Sequence, residues 1–270
     1  MTATTTVDWG AAQKAVAEAG RRLTTMLRAA KRADAPALGQ WSLGQVAVHV
    51  SLVTDAVWAM TRGGGNLIAD VWDLPMLSQV LIEGEGPRTP AEMADRIDAS
   101  GAGFLAAMEA AGEDSMHSWL IQGTEMPLST LTCQILNELT IHGLDIARAE
   151  GVPWPIDRGH ATLIVQGYVF PALDTLGRAM VVQEKAGDAR FEVRLRGDGR
   201  AWVCFADGNF SVESSPQGPV DCHLSVDPAA FLLVAWGRTS QWPPIAKGQL
   251  LAWGRKPGLG LQMLSWLRNP

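Results

Sequence analysis

An all-α region followed by a small α+β domain is the fold class that the sequence predicts, and three features predict it. Apolar residues recur at helical spacing in five segments up to Glu184, the period falls to two past Gly187, and tight-turn residues separate the alternating runs. The division falls at Gly187, giving a helical domain over residues 1–186 and an α+β domain over residues 187–270. With 47% hydrophobic and 19% charged residues, the chain can bury enough apolar surface to offset the entropy lost on folding, which excludes extended disorder.

Asp8 is placed to cap a first helix running to about Lys31, with Trp9, Ala12, Val16, Ala19, Leu23, Met26, Leu27 and Ala30 on one face. After a loop containing Pro36 and Gly39, Ser42 caps a second helix whose Val46, His49, Val50, Val53 and Val57 share a side, until Gly63-Gly64-Gly65 stops it. Residues 66–89, broken by Pro75 and Pro87, read as a long irregular connection with one short helix at about 76–82, of a kind that often covers a site. A third helix runs from Thr89, with Pro90 at its first position, to Ala111, and turns Met93, Ile97, Phe104, Leu105 and Met108 inward.

The fourth helix spans about Ser129 to Glu150, ahead of Gly151, with Leu131, Ile135, Glu138, His142, Asp145 and Ala149 along one side. A fifth, Asp157 to Glu184, completes the helical domain and is expected to kink at Pro171. Strands are expected around Phe191, Val193 and Leu195, then at 202–206, 210–213 and 223–226, with turns at Gly197-Asp198-Gly199 and Asp207-Gly208-Asn209. A short helix from Pro228 to Trp236 and an amphipathic stretch from Leu259 to Leu267 finish the chain.

Several classes of function are disfavoured. The 22 basic and 28 acidic residues give a net charge of −6, which removes the general attraction to phosphate backbones, so no nucleic-acid partner is expected. Met1 to Asp8 lacks a cationic segment followed by an apolar core, and no unbroken apolar run reaches membrane-spanning length. A cytoplasmic protein with no membrane partner is therefore expected. Cys133, Cys204 and Cys222 form no CxxC and are odd in number, which fits reduced, buried thiols and neither a disulfide framework nor a cysteine zinc knot.

The most informative residues are His49 on the second helix and Glu138 with His142 on the fourth. The latter two are spaced i, i+4 and therefore point the same way. Burying a carboxylate and two imidazoles without partners costs several kcal/mol, about what a shared divalent cation would relieve. Two nitrogens and one carboxylate oxygen, with a further position open, are the ligand set of a catalytic zinc. A Glu–His pair on one helix beside an unrelated core histidine satisfies the same spacing, and the residues alone leave both readings open.

The segment Trp41-Ser42-Leu43-Gly44-Gln45-Val46-Ala47-Val48-His49-Val50, with Asn137-Glu138-Leu139-Thr140-Ile141-His142-Gly143-Leu144-Asp145-Ile146-Ala147-Arg148-Ala149, resembles the mycothiol-dependent maleylpyruvate isomerase family. The resemblance covers nearly the whole chain. It implies a DinB-like up-and-down four-helix bundle with an extra helix, followed by a small sterol-carrier-like α+β domain. It further implies that His49, Glu138 and His142 bind a divalent metal, most often zinc, and that mycothiol is the thiol cosubstrate. Gln45 stands where the family often has Asp, and Leu144 where it often has Trp; both departures spare the ligands.

The function expected on this basis is metal-dependent activation of a low-molecular-weight thiol for addition to a small unsaturated or electrophilic acid, ending in cis–trans isomerisation or S-transfer. Metal-dependent hydrolysis of a thiol conjugate is a variant of that reading. The rival reading is a non-catalytic protein that holds an apolar ligand in its sterol-carrier-like domain. Asp145, three residues after His142, is expected to orient a ligand imidazole or to help bind the thiol, with an ion pair to Arg148 as the structural alternative. Arg238, in Trp236-Gly237-Arg238, resembles a recurrent Gly-Arg element of the family's second domain and would clamp a substrate carboxylate bidentately.

His117, His160 and His223 lack matching partners and read as surface or satisfied core residues. Trp9, Trp58 and Trp202 fall on periodic apolar faces, whereas Trp72, Trp119 and Trp154 sit in loops, where packing competes with pocket lining. Metal identity, oligomeric state and the physiological substrate do not follow from the sequence.

Overall fold

The Asp8 carboxylate accepts a hydrogen bond from the Ala11 N–H and so begins α1 (Trp9–Ala29), whose Ala12, Val16, Ala19, Leu23 and Leu27 are buried at the expected spacing. The computed structural model describes residues 7–197 and 199–268, which divide into two units, one over residues 8–156 and one over the described residues from 157 to 268.

In the first unit, a small hairpin of β1 (Pro36–Leu38) and β2 (Trp41–Ser42) leads into α2 (Leu43–Met60). Ser42 and Gln45 close a reciprocal capping box there, which gives Gln45 a role in starting the helix that carries His49. By length and composition α2 could cross a membrane, a property that a search for unbroken apolar runs overlooks; here 56% of it is buried inside the protein as a core helix. In the 66–89 connection α3 (Leu74–Glu85) is longer than the short helix expected, yet it buries only Ile82 and leaves Met76 and Val80 exposed.

Thr89 and Glu92 cap α4 (Pro90–Ala110) with a second box. A hairpin of β3 (Met116–Ser118) and β4 (Glu125–Pro127), too short to show a period in the sequence, then leads to α5 (Leu128–Glu150), which ends on Gly151 in the left-handed region, φ 76°. Helices α1 and α2 each pack on both α4 and α5, and Leu23, Val46, Phe104, Leu131 and Leu136 lie fully buried within the four-helix core.

Trp154 folds back onto α5. Its Nε1 donates to the Thr140 carbonyl at 3.0 Å, the Arg22 guanidinium lies 3.7 Å over its ring, and its edge occupies the space where a Cβ on Gly143 would stand 2.3 Å from Cζ2. Packing is thus the role of Trp154. Gly143→Ala is expected to cost about 1–3 kcal/mol by overpacking, read as a lower thermal midpoint for this unit; an unchanged midpoint would show that the indole can move aside freely.

The second unit opens with α6 (Arg158–Ile164), passes through one π-helical turn at Val165–Val169 and continues as α7 (Phe170–Leu176). The expected disturbance at Pro171 takes this form, because proline cannot donate to the helix ladder and its ring crowds the preceding turn. The 157–184 segment belongs with the sheet rather than with the bundle, so the units part at 156/157 and not at 186/187. The reason is where its polar and apolar groups find partners. Arg158 pairs with Asp227 at 2.9 Å, Asp174 accepts the Val212 N–H at 2.7 Å, and α7 packs on β7 of the sheet described next.

The sheet contains β5 (Ala189–Leu195), β6 (Arg200–Ala206), β7 (Asn209–Glu213), β8 (Cys222–Val226) and β9 (Leu250–Trp253) in the order β7-β6-β5-β8-β9. Only β5 and β8 pair in parallel, joined by a long connection; the other neighbours are antiparallel. The β6–β7 turn places Asp207 (φ 52°) and Gly208 (φ 70°) both in the left-handed region, the tight hairpin its sequence predicts. Asp198, in the other expected turn, lies outside the described residues.

Between β8 and β9 run α8 (Pro228–Ala235), capped by Asp227, and α9 (Trp242–Ala246); β9 and α9 have no counterpart in the sequence reading, and the 259–267 stretch forms 3-10 turns instead of a helix. On the opposite side of β5 from Phe191 and Val193, the buried Glu192 carboxylate receives His223 Nδ1 at 2.5 Å, Arg194 at 2.8 Å and Arg200 at 3.1 Å. His223 is therefore a satisfied structural residue.

Candidate metal centre

Two neighbouring bundle helices supply the cluster. His49 lies midway along α2, and Glu138 and His142 lie one turn apart on α5, so the i, i+4 spacing directs the latter pair at the former. Glu138 Oε2 stands 3.3 Å from His142 Nε2 and 3.7 Å from His49 Nε2, and the two imidazoles meet edge to face with centroids 4.9 Å apart. Their side chains retain only 12–14% of their exposure. Asp145, at 4%, lies one helical turn beyond His142 and takes its Nδ1 at 3.1 Å. A carboxylate accepts, so Nδ1 carries the proton and Nε2 is left facing Glu138.

The charges follow from that arrangement. Burial alone would raise the Glu138 carboxyl, but hydrogen bonds from His142 and His49 outweigh it and hold the group well below the usual carboxylate range. Burial alone would lower His142, yet its hydrogen bonds to Asp145 and Glu138 lift it to about 9. His49 lacks a second carboxylate, and desolvation lowers it. Without a cation the cluster thus holds one imidazolium, one neutral imidazole and one carboxylate.

The donor set fits a divalent cation. Ligand atoms of all three residues lie within 4.8 Å of one another, and among the described residues this is the group of three His, Cys, Asp or Glu so placed. A tetrahedral ion with bonds of about 2.0–2.1 Å sets its donors about 3.3 Å apart, so the His142–Glu138 spacing already matches and the His49–Glu138 spacing, at 3.7 Å, exceeds it by a few tenths of an ångström. The chain itself brings no activated thiol. Cys133, Cys204 and Cys222 are free and buried, and burial pushes all three thiols up, Cys133 to about 12.

Arg238 belongs to the second unit, past α8, where its guanidinium donates to the Trp236 carbonyl at 2.8 Å. Two neighbours of the cluster escaped the sequence reading as functional residues. The Trp41 ring lies 5.1 Å from the His49 ring, its Nε1 donating to Gln79 of α3 at 2.8 Å, and Asn137 Nδ2 donates to Glu138 Oε1 at 3.3 Å. Trp41 and Asn137 open the two quoted motifs; that adjacency was the signal. Trp119 is buried with its Nε1 on Gln134, a packing role.

Comparison with known proteins places both regions. The family described as the mycothiol maleylpyruvate isomerase N-terminal domain matches residues 11–147, and the SCP-2 sterol transfer family matches residues 179–254. Crystal structures of the mycothiol-dependent maleylpyruvate isomerase and of a histidine-to-alanine mutant of it superpose with TM-scores of 0.54 and 0.55. Each is 13% identical and covers 93% of this chain and 95% of its own, a likeness of fold. No curated protein matches.

Proposed function

Because the chain belongs to the mycothiol maleylpyruvate isomerase N-terminal domain family, we propose that it is a metal-dependent enzyme that uses mycothiol to act on a small unsaturated or electrophilic acid. The observation that carries this reading is the buried His49–Glu138–His142 cluster with Asp145 behind it. In it, His49, Glu138 and His142 would hold a divalent cation, zinc being the one that the resemblance implies most often, from a donor set that several divalent metals suit. A bound cation with an open position supplies Lewis acidity, which lowers the pKa of a thiol ligand toward neutrality.

The chain's residues do the rest. Asp145 fixes the His142 tautomer and holds its ring still, so that Nε2 meets the cation without reorganisation. The closely packed cluster keeps bulk water away from the three donors. Arg238 is assigned to the substrate's carboxylate, as a planar fork that lysine cannot replace. The three buried, protonated cysteines support an external thiol as nucleophile.

The test has two stages. Plasma mass spectrometry of untagged protein prepared without chelators is expected to show near-stoichiometric zinc. Incubation with mycothiol and a panel of unsaturated acids is then expected to give turnover. An isomerase returns the thiol unchanged and an S-transferase consumes it, so thiol titration separates the two outcomes. Full activity without bound metal would overturn the proposal. The match of residues 179–254 to the SCP-2 sterol transfer family favours a second reading, a carrier of apolar ligands; a thiol-independent change in tryptophan fluorescence on adding fatty acids or sterols would support it.

A further inference from the structure

Adjacent helical side chains diverge by about 100° and normally do not meet. On α5, Asn137 and Glu138 depart from this, with Asn137 Nδ2 donating to Glu138 Oε1 at 3.3 Å. The Asn137 side chain is buried, and its Oδ1 has no hydrogen-bond partner. An orphaned buried acceptor of this kind costs stability, a cost that leucine or alanine at the same core position would not incur. Only the amide N–H can satisfy a carboxylate, so the amide's orientation is dictated by Glu138. The two carboxylate oxygens are thereby divided: Oε2 faces His142 and His49, while Oε1 is held by Asn137.

We infer that Asn137 is a positioning residue that holds Glu138 to a single ligand oxygen, so that a cation on the cluster keeps positions open for an external thiol and substrate. The inference rests on the metal-dependent reading above. A carboxylate released from Asn137 is free to turn and offer both oxygens, which fills one of those positions.

The experiment compares wild type with Asn137→Ala and Asn137→Asp, using zinc affinity by chelator competition, the visible spectrum of the cobalt-loaded protein, and the thermal midpoint of the metal-free form. Asn137→Ala is expected to weaken zinc by about 10–100-fold and to shift the cobalt bands toward the weaker absorption of higher coordination, with the metal-free midpoint equal to or above wild type. Asn137→Asp, which sets a second carboxylate against Oε1, is expected to change the spectrum in the same direction. A lower metal-free midpoint with wild-type zinc affinity and cobalt spectrum would make Asn137 merely structural and overturn the inference. If the wild type takes up neither ion, the metal-dependent reading fails, and this inference with it. Uptake by all three proteins with one affinity and one spectrum defeats the Asn137 role alone.

Discussion

Glu138→Ala is expected to empty the cluster of metal and to reduce kcat/KM by about three orders of magnitude or more, the equivalent of several kcal/mol of charge stabilisation. Among the described residues the carboxylate is the one anionic donor that faces both imidazoles. Without it His49 and His142 are left as two nitrogen ligands, and His142 keeps Asp145 alone of its two carboxylate partners. The bundle should survive, because alanine is the best helix former and Glu138 faces a polar cluster instead of the apolar core. Metal analysis, circular dichroism and turnover on one preparation check all three points. A helical variant with wild-type zinc and rate would refute the assignment of Glu138 as a ligand. His49→Ala should likewise lose the metal, from the other helix.

The largest stability effect is expected in the second unit, from Glu192→Gln. Burial alone would raise the Glu192 carboxyl, but Arg194, His223 and Arg200 outweigh it and hold it below the usual range. A carboxylate lowered in the folded state stabilises at pH values above its unfolded pKa, and that contribution is lost as the pH falls through the folded value. Glutamine should therefore cost about 2–3 kcal/mol at pH 7, somewhat less than a fully buried ion pair because two of the partners reach solvent. The gap should close as the pH drops below the ordinary carboxylate range. Urea unfolding of both full-length proteins at pH 7 and near pH 3 measures it, and a gap independent of pH would show that packing, not charge, is at stake.

The parts of the fold legible in the sequence were those with a local cause. Asp8, Ser42 and Thr89 each cap a helix within one residue of its expected start, and Gly151 closes α5, because capping and left-handed glycine are decided within a turn of chain. The β3–β4 hairpin and β9 were not legible; strands of three or four residues carry no usable period. Nor was the allegiance of residues 157–184. Their helical pattern says that one face is buried, but tertiary contacts such as Asp174 on β7 and Arg158 on Asp227 say against what.

The candidate site divides in the same way. Glu138 and His142 are one turn apart and were visible as a pair, whereas the approach of His49 depends on α2 packing against α5, which the motifs' resemblance supplied and spacing did not. Asn137 went unnoticed because an i, i+1 contact runs against helical geometry.

His49 and Glu138 stand about ninety residues apart in the chain. An ion bridging them acts as a reversible cross-link, one that ties off the loop containing all of α3 and α4. Closing a loop of that size removes chain entropy worth about 4–5 kcal/mol from the unfolded state on the polymer estimate used for disulfides. Unlike a disulfide, this staple is set by mass action, so its contribution scales with the free ion concentration. Where the ion is scarce, loosened chains would be the first to meet proteases, so the amount of protein, and not only its activity, would follow the metal supply.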